Sequence, residues 1–247
     1  MQHPFLYQYM NPPGLDALRR KRIMTSSPET MNDPFEWRPA VNEHVTKSDF
    51  EAAFPAVSSV FPFHEMAISE ARRYQQQFPT DSARHYRVIC LSAEQRIPLL
   101  WSHYADKHRG FAVVVNTSEL IKAGNAFAID VIYDPRRPRI PHPWKDNRIK
   151  ENLLTTFHYK SKEWDYEKET RLLVPLEHLE AAETNLGLFL PVPGAVFHEV
   201  IFGHLCSDRD KMLLRQTCAR SPELEHVVFR QATLSRDCYS IIIYPTC

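Results

Sequence analysis

Apolar residues occur along the chain in short runs, separated by polar segments and prolines. Three runs are apolar enough to predict buried strands, at Phe5–Met10, Arg87–Ser92 and Phe111–Val115. Weaker patterns predict strands at 23–26, 127–133, 199–202, 226–229 and 239–244, and helices at 15–22, 98–107, 146–159, 208–219 and, interrupted at two prolines, 47–77. Strands and helices do not alternate regularly. We therefore predict an α+β fold with a mixed or antiparallel β-sheet flanked by helices, in a single domain over 1–247.

Glycine is scarce and proline is abundant in this chain. Only 6 of the 247 residues are Gly, whereas 19 are Pro. The glycines are too far apart to form G-x-G-x-x-G or G-x-x-x-x-G-K-[ST]. These loops place a helix N-terminus against phosphate groups. We therefore expect neither a Rossmann-type domain nor a P-loop NTPase, and a bound dinucleotide would be held by side chains.

The formal charges cancel, with 30 Lys and Arg against 30 Asp and Glu. Contacts with nucleic acid would therefore need local basic runs such as Arg136–Arg139. The five cysteines include no C-x-x-C pair and are odd in number, which disfavours a disulfide framework. The N-terminus lacks a signal-peptide pattern and no apolar stretch is long enough for a membrane span. We expect a cytoplasmic location and no membrane partner.

Charged residues occupy every second position in Asp165-x-Glu167-x-Glu169-x-Arg171. In an extended chain these four side chains share one face, with neighbours roughly 6 to 7 Å apart. Adjacent carboxylates repel each other, which favours protonation of one, while Arg171 keeps the other ionised. This arrangement suits acid/base chemistry or stabilisation of a cationic transition state such as an oxocarbenium ion. The structural alternative is a solvated strand face with a surface salt bridge.

Two further segments combine residue types found at binding sites. Trp101 and Tyr104 share a helix face with His103 close to it, and such an aromatic wall stacks on a nicotinamide or adenine ring. The alternative is that they are core residues. Asn32 and Asp33 precede a proline, where their side chains either clamp a turn or line the edge of a pocket. Histidine and cysteine spacings match no common metal site, and we expect no metal.

Several short motifs, in this order along the chain, together resemble the bacterial domain-of-unknown-function family numbered 2971. They are Leu6-Tyr7-Gln8-Tyr9, Ser26-Ser27-Pro28, Asn32-Asp33-Pro34-Phe35-Glu36, Leu91-Ser92, Leu100-Trp101-Ser102-His103-Tyr104-Ala105, Gly110-Phe111, Lys160-Ser161, Trp164-x-Tyr166-Glu167-x-Glu169-x-Arg171 and Val200-Ile201-Phe202-Gly203. The resemblance covers nearly the whole chain. It implies an intracellular bacterial domain and says little about substrate.

A more distant resemblance is to ADP-ribosyltransferases, including the DNA-modifying toxins among them. It is carried by the first strand with Tyr7-Gln8-Tyr9, the second strand ending in Thr25-Ser26-Ser27, and the late Glu167-x-Glu169. It implies a split sheet and NAD as co-substrate. In that family the first-strand residue holds the nicotinamide ribose, the second-strand residue lines the nicotinamide pocket, and the late Glu acts on the ribose. These roles fall on Gln8 or Tyr9, with Tyr7 beside them, on Ser26 or Ser27, and on Glu169 or Glu167.

Three functions follow as hypotheses. The first is an NAD-consuming ADP-ribosyltransferase-like enzyme, a toxin or defence effector with a nucleic-acid or protein acceptor. In it, Glu169 acts on the ribose and Arg171 orients Glu169. The cofactor is contacted by Trp101, His103 and Tyr104, and the loop over its pocket is shaped by Asn32 and Asp33. The second is a metal-dependent nuclease or phosphodiesterase that uses the carboxylates with His103. The third is a non-catalytic nucleotide-sensing or interaction module.

Overall fold

The computed structural model describes residues 3–41, 46–53, 63–141, 154–181 and 187–246. Contacts divide the chain into two compact units. Unit 1 comprises Met1–Ser26, Tyr86–Asp130 and Tyr166–Cys247, and unit 2 comprises Ser27–His85 and Val131–Asp165. Each unit has its own sheets and its own buried side chains. The single domain over residues 1–247 stays a prediction.

The strands are short and come from all parts of the described chain. In chain order they are β1 Phe5–Met10, β2 Arg22–Met24, β3 Ala40–Val41, β4 Tyr86–Ser92, β5 Phe111–Asn116, β6 Phe127–Asp130, β7 Ile132–Tyr133, β8 Arg139–Ile140, β9 Tyr159–Lys160, β10 Glu169–Pro175, β11 Glu180–Ala181, β12 Leu188–Pro191, β13 Phe197–Phe202, β14 Val228–Leu234 and β15 Ile241–Pro245. The helices are α1 Leu15–Arg19, α2 Lys47–Ala53, α3 Phe63–Ala83, α4 Pro98–Tyr104, α5 Thr117–Gly124 and α6 Asp208–Ala219. A further helical turn lies at 154–157, and the rest of the predicted helix at 146–153 lies outside the described residues.

Unit 1 is built around an eight-stranded sheet with the order β15-β14-β13-β5-β1-β4-β10-β6. Its neighbouring strands are antiparallel except β13 and β14, which run parallel. A second sheet has the order β11-β12-β2. The large mixed sheet and the separate helices confirm the predicted α+β class.

The large sheet is split between β1 and β4. β1 pairs with β5 from Phe5 to Met10, whereas its pairing with β4 is at Tyr7 and Ser92. Further along β4, Ser26 forms an antiparallel bridge with Val88, whose other side pairs with β10. The Ser26 N–H donates to the Val88 carbonyl at 2.7 Å, and the Val88 N–H donates back at 3.0 Å. The chain after β2 therefore occupies the β4 edge that β1 leaves.

Apolar side chains on the two faces of the sheet form separate clusters. Leu6 and Met10 of β1 belong to a large cluster that also includes residues of α1, α5 and α6. Tyr7 and Tyr9, which alternate with them along β1, pack against a smaller cluster around Trp101. Because successive side chains of a strand point to opposite faces, β1 contributes to both clusters. α4, which carries Trp101, thus lies on the Tyr9 face.

Local sequence explains where the helices begin and end. α6 begins after Ser207, whose hydroxyl accepts the Asp210 N–H at 3.1 Å, and its bounds match the prediction. The predicted helix at 15–22 ends earlier, at Arg19. Lys21 has a left-handed φ of 49°, which stops the helix before β2 begins.

Unit 2 contains α2, α3 and two short parallel strand pairs, β3 with β8 and β7 with β9. Trp37 is buried, with its ring centroid 5.2 Å from that of Phe157. In the described part of the chain, four cysteines are free thiols. Across the same residues, no helix is both long and apolar enough to cross a membrane.

Candidate functional site

Strand register places three polar side chains in one row on the Tyr9 face of the large sheet. Tyr7 on β1 pairs with Ser92 on β4, and Ser92 pairs with Glu169 on β10. Directly paired residues project from the same face. Neighbouring strands lie about 4.8 Å apart, so Tyr7 and Glu169 are about 10 Å apart across the sheet. The row crosses the sheet where β1 and β4 begin to separate.

Glu169 and Arg171 form a buried ion pair on β10. Their side chains are 5% and 0% exposed. Arg171 Nε donates to Glu169 Oε1 and Arg171 Nη2 to Glu169 Oε2, both at 3.0 Å. Two parallel hydrogen bonds fix the plane of the carboxylate. The predicted alternative of a solvated surface pair is therefore wrong for these two residues.

The expectation that Asp165 and Glu167 extend the same strand face is also wrong. Residues Lys162–Glu167 form a 3-10 helix, and β10 begins only at Glu169. Lys168, between them, has a left-handed φ of 44°. A residue in that conformation interrupts an extended strand. The alternating charges therefore do not continue one row of side chains.

Glu167 is nevertheless brought to the site by contacts with α4 and β4. Its side chain is buried, and the Tyr104 hydroxyl donates to Glu167 Oε1 at 2.5 Å. The Ser92 hydroxyl donates to the Glu167 carbonyl at 2.5 Å. Two buried glutamates thus adjoin Ser92, Glu169 as its partner in the strand pairing and Glu167 through its main-chain carbonyl. Tyr104 binds the carboxylate of Glu167 and Arg171 binds that of Glu169.

Trp101 and Tyr9 pack together beside this site. Their ring centroids are 5.1 Å apart in an edge-to-face arrangement. Trp101 is fully buried and donates its indole N–H to the Gln95 carbonyl at 2.9 Å. The Tyr9 hydroxyl donates to the Glu94 carbonyl at 2.7 Å, and burial raises the pKa of Tyr9 well above its usual value. Trp101 is therefore a core residue, which was the alternative to stacking on a cofactor.

Gln8 and Tyr9 lie on opposite faces of β1, since they are adjacent in the strand. Gln8 is buried and donates Nε2 to the Met24 carbonyl at 3.0 Å, which joins β1 to β2. Its Oε1 has no hydrogen-bond partner among the described residues. Of the two residues that the resemblance assigned to the ribose, Tyr9 is the one on the Glu169 face.

The other predicted cofactor residues are described within their own units. His103 is exposed, with its ring centroid 6.5 Å from that of Tyr166. In unit 2, Ser27 caps a short 3-10 helix by accepting the Glu29 N–H at 3.4 Å. Asn32 is exposed. Asp33 is buried and its Oδ1 accepts the Phe35 N–H at 2.9 Å. This hydrogen bond stabilises a turn, which is one of the two roles that the sequence allowed for Asp33.

Ser92 is a site residue that the sequence reasoning did not select. It is buried, it lies between Tyr7 and Glu169 in the sheet, and it contacts Glu167. The available signal was a hydroxyl at the end of an otherwise apolar strand. Within the described ranges, no three His, Cys, Asp or Glu residues are arranged to hold a metal ion.

Comparison with known proteins gives one match to a protein family. The model of the family described as "Protein of unknown function (DUF2971)" matches residues 100–172. This segment contains Trp101, Tyr104, Glu167, Glu169 and Arg171, so the predicted resemblance is supported there, while the motifs outside it stay a prediction. No curated protein and no solved structure matches the chain.

Proposed function

We propose that unit 1 carries the site of an NAD-consuming, ADP-ribosyltransferase-like enzyme, a cytoplasmic toxin or defence effector with a nucleic-acid or protein acceptor. The observation that supports it most is the burial of Glu167 and Glu169 beside the split between β1 and β4. A pocket at this split would be bordered by Tyr7 and Tyr9 on one strand and by Ser92 and Glu169 on the next two.

In the proposed reaction the bond between nicotinamide and ribose breaks, and nicotinamide leaves with the bonding electron pair. The ribose becomes an oxocarbenium ion, which the acceptor attacks while losing a proton. A carboxylate fixed before the reaction stabilises this positive charge without reorganising. Both Glu169 oxygens accept hydrogen bonds from Arg171, which fixes the carboxylate in the orientation from which we propose that it acts on the ribose.

The proposal is tested by incubating the protein with NAD and measuring free nicotinamide by chromatography, with and without nucleic acid. We expect release by the wild type. We expect a loss of about 10²–10³-fold on changing the key carboxylate, in either Glu169→Gln or Glu167→Gln. The variant with the larger loss identifies that carboxylate.

Glu199→Gln is the matched control. Glu199 lies in the same sheet, is also largely buried and also pairs with an arginine, Arg230, at 2.7 Å. We expect its nicotinamide release to stay within about twofold of the wild type. The proposal would be overturned if the wild type released no more nicotinamide than both Glu169→Gln and Glu167→Gln under every condition. Strand cleavage of nucleic acid that EDTA abolishes, in place of NAD turnover, would also overturn it.

A further inference from the structure

Unit 2 contains a cavity of about 470 Å³ that plays no part in the proposed NAD site. Three segments line it, 33–36, 134–138 and 159–163. They bring together parts of three motifs that are far apart in the sequence: Asp33, Phe35 and Glu36, then Arg136 and Arg137 of the basic run, and Lys160-Ser161. Cavities of roughly 300–1,000 Å³ are typical of small-molecule sites.

Most charges around the cavity are already compensated within the protein. Lys160 Nζ lies 3.0 Å from Glu36 Oε1, and both side chains are buried. Asp134 accepts the Arg136 N–H at 2.7 Å and also lies near its guanidinium. Glu163 accepts a hydrogen bond from the Ser161 hydroxyl. Two of these pairs neutralise each other's charges, and the Ser161 hydroxyl satisfies an oxygen of Glu163.

Asp33 is the exception among the acidic residues. Asp33 is only 4% exposed, and its Oδ2 has no hydrogen-bond partner among the described residues. A buried carboxylate oxygen without a donor is costly, and such atoms in folded proteins mark a bound water, ion or ligand. A ligand that meets this need supplies an N–H or O–H donor.

Arg137 is the exception among the basic residues. Its guanidinium carbon lies 4.7 Å from the centroid of the Phe35 ring, and no ion pair involves it in the described part of the chain. Phe35 is itself 56% exposed. Aromatic rings and guanidinium planes are the surfaces on which nucleobases stack, and arginine also binds phosphate. The same cavity therefore has an unmet acceptor, a stacking surface and an uncompensated cation.

We propose that this cavity binds a nucleotide. An N–H group of the base donates to Asp33, the base stacks on the Phe35 and Arg137 surface, and the phosphate contacts Arg137. The site does not depend on Glu169 and is separate from the proposed NAD chemistry.

Isothermal titration calorimetry with GMP, AMP and CMP tests this site, with ribose 5-phosphate as the probe that lacks a base. We expect at least one nucleotide to bind, and ribose 5-phosphate to bind about tenfold more weakly or not at all. The same affinity is expected for the Glu169→Gln variant, so this result is independent of NAD turnover. If no nucleotide binds at millimolar concentration, or if ribose 5-phosphate binds equally well, the proposal is overturned.

Two substitutions distinguish a ligand site from a structural loop. Asp33→Asn keeps an acceptor for the Phe35 N–H and removes the charge of the unpaired oxygen. We expect it to weaken nucleotide binding about tenfold or more without lowering the melting temperature of the free protein. Arg137→Ala should weaken binding about fivefold. Arg139→Ala is the matched control, because Arg139 is exposed in the same basic run and does not line the cavity. Equal affinities in all three variants would contradict the proposal.

Discussion

Replacing Arg171 with methionine is expected to lower the free energy of unfolding by about 3–5 kcal/mol, because Glu169 then stays buried without its charged partner. Arg171 is fully buried and its two nitrogens each lie 3.0 Å from a Glu169 oxygen. Methionine approximates the length of the arginine stem and offers neither charge nor donors. Urea unfolding followed by tryptophan fluorescence measures the change, with the m-value as a check that the unfolded state is unaltered.

Arg230→Met is the control for the loss of an arginine from this sheet. Arg230 Nε lies 2.7 Å from Glu199 Oε2, with the Arg230 side chain 40% and the Glu199 side chain 12% exposed. Because water reaches this pair more easily than the Glu169 pair, we expect a smaller change than for Arg171→Met. The double variant Glu169→Gln, Arg171→Met removes both buried charges and should be more stable than Arg171→Met alone. Equal effects of Arg171→Met and Arg230→Met would show that burial of the first pair is unimportant.

Gly110→Ala is expected to destabilise the protein by about 3 kcal/mol or more, because its methyl group has no space. A Cβ on Gly110 would lie 2.0 Å from the carbonyl oxygen of Met10. The backbone has little freedom to move, since the Gly110 N–H donates to Ala105 at 2.8 Å and its carbonyl accepts the Gly203 N–H at 2.9 Å. Urea unfolding again gives the change in free energy.

Gly14→Ala provides the comparison. The three atoms nearest to a Cβ there are side-chain atoms of Met10, with Cβ at 3.0 Å and Sδ at 3.2 Å, so the approach is 1.0 Å longer than at Gly110 and needs a shift of a few tenths of an ångström. We expect a change within about 1 kcal/mol. A similar loss of stability in both variants would mean that glycine acts at 110 through something other than this close approach.

Elements with strong local signals could be predicted closely from the sequence. β5 is an uninterrupted apolar run, and α6 has a serine cap at its start. The structure of the segment before β10 could not be predicted from the sequence, because its alternation of charged residues suits a strand as well as a 3-10 helix. Lys168 adopts a left-handed φ of 44° there, and a lysine gives no sequence signal for that conformation.

Local residue patterns were enough to predict the α+β class, the lack of glycine-rich phosphate loops, and the set of polar and aromatic residues available for a site. How these residues are used depends on contacts between distant segments. It put Tyr9 and Gln8 on opposite faces, gave Glu169 an arginine and Glu167 a tyrosine as partners, and joined Asp33 to the basic run around one cavity. The reason is physical: a side chain's burial and partners depend on strand register and on segments that are distant along the chain, and local residue preferences do not specify either.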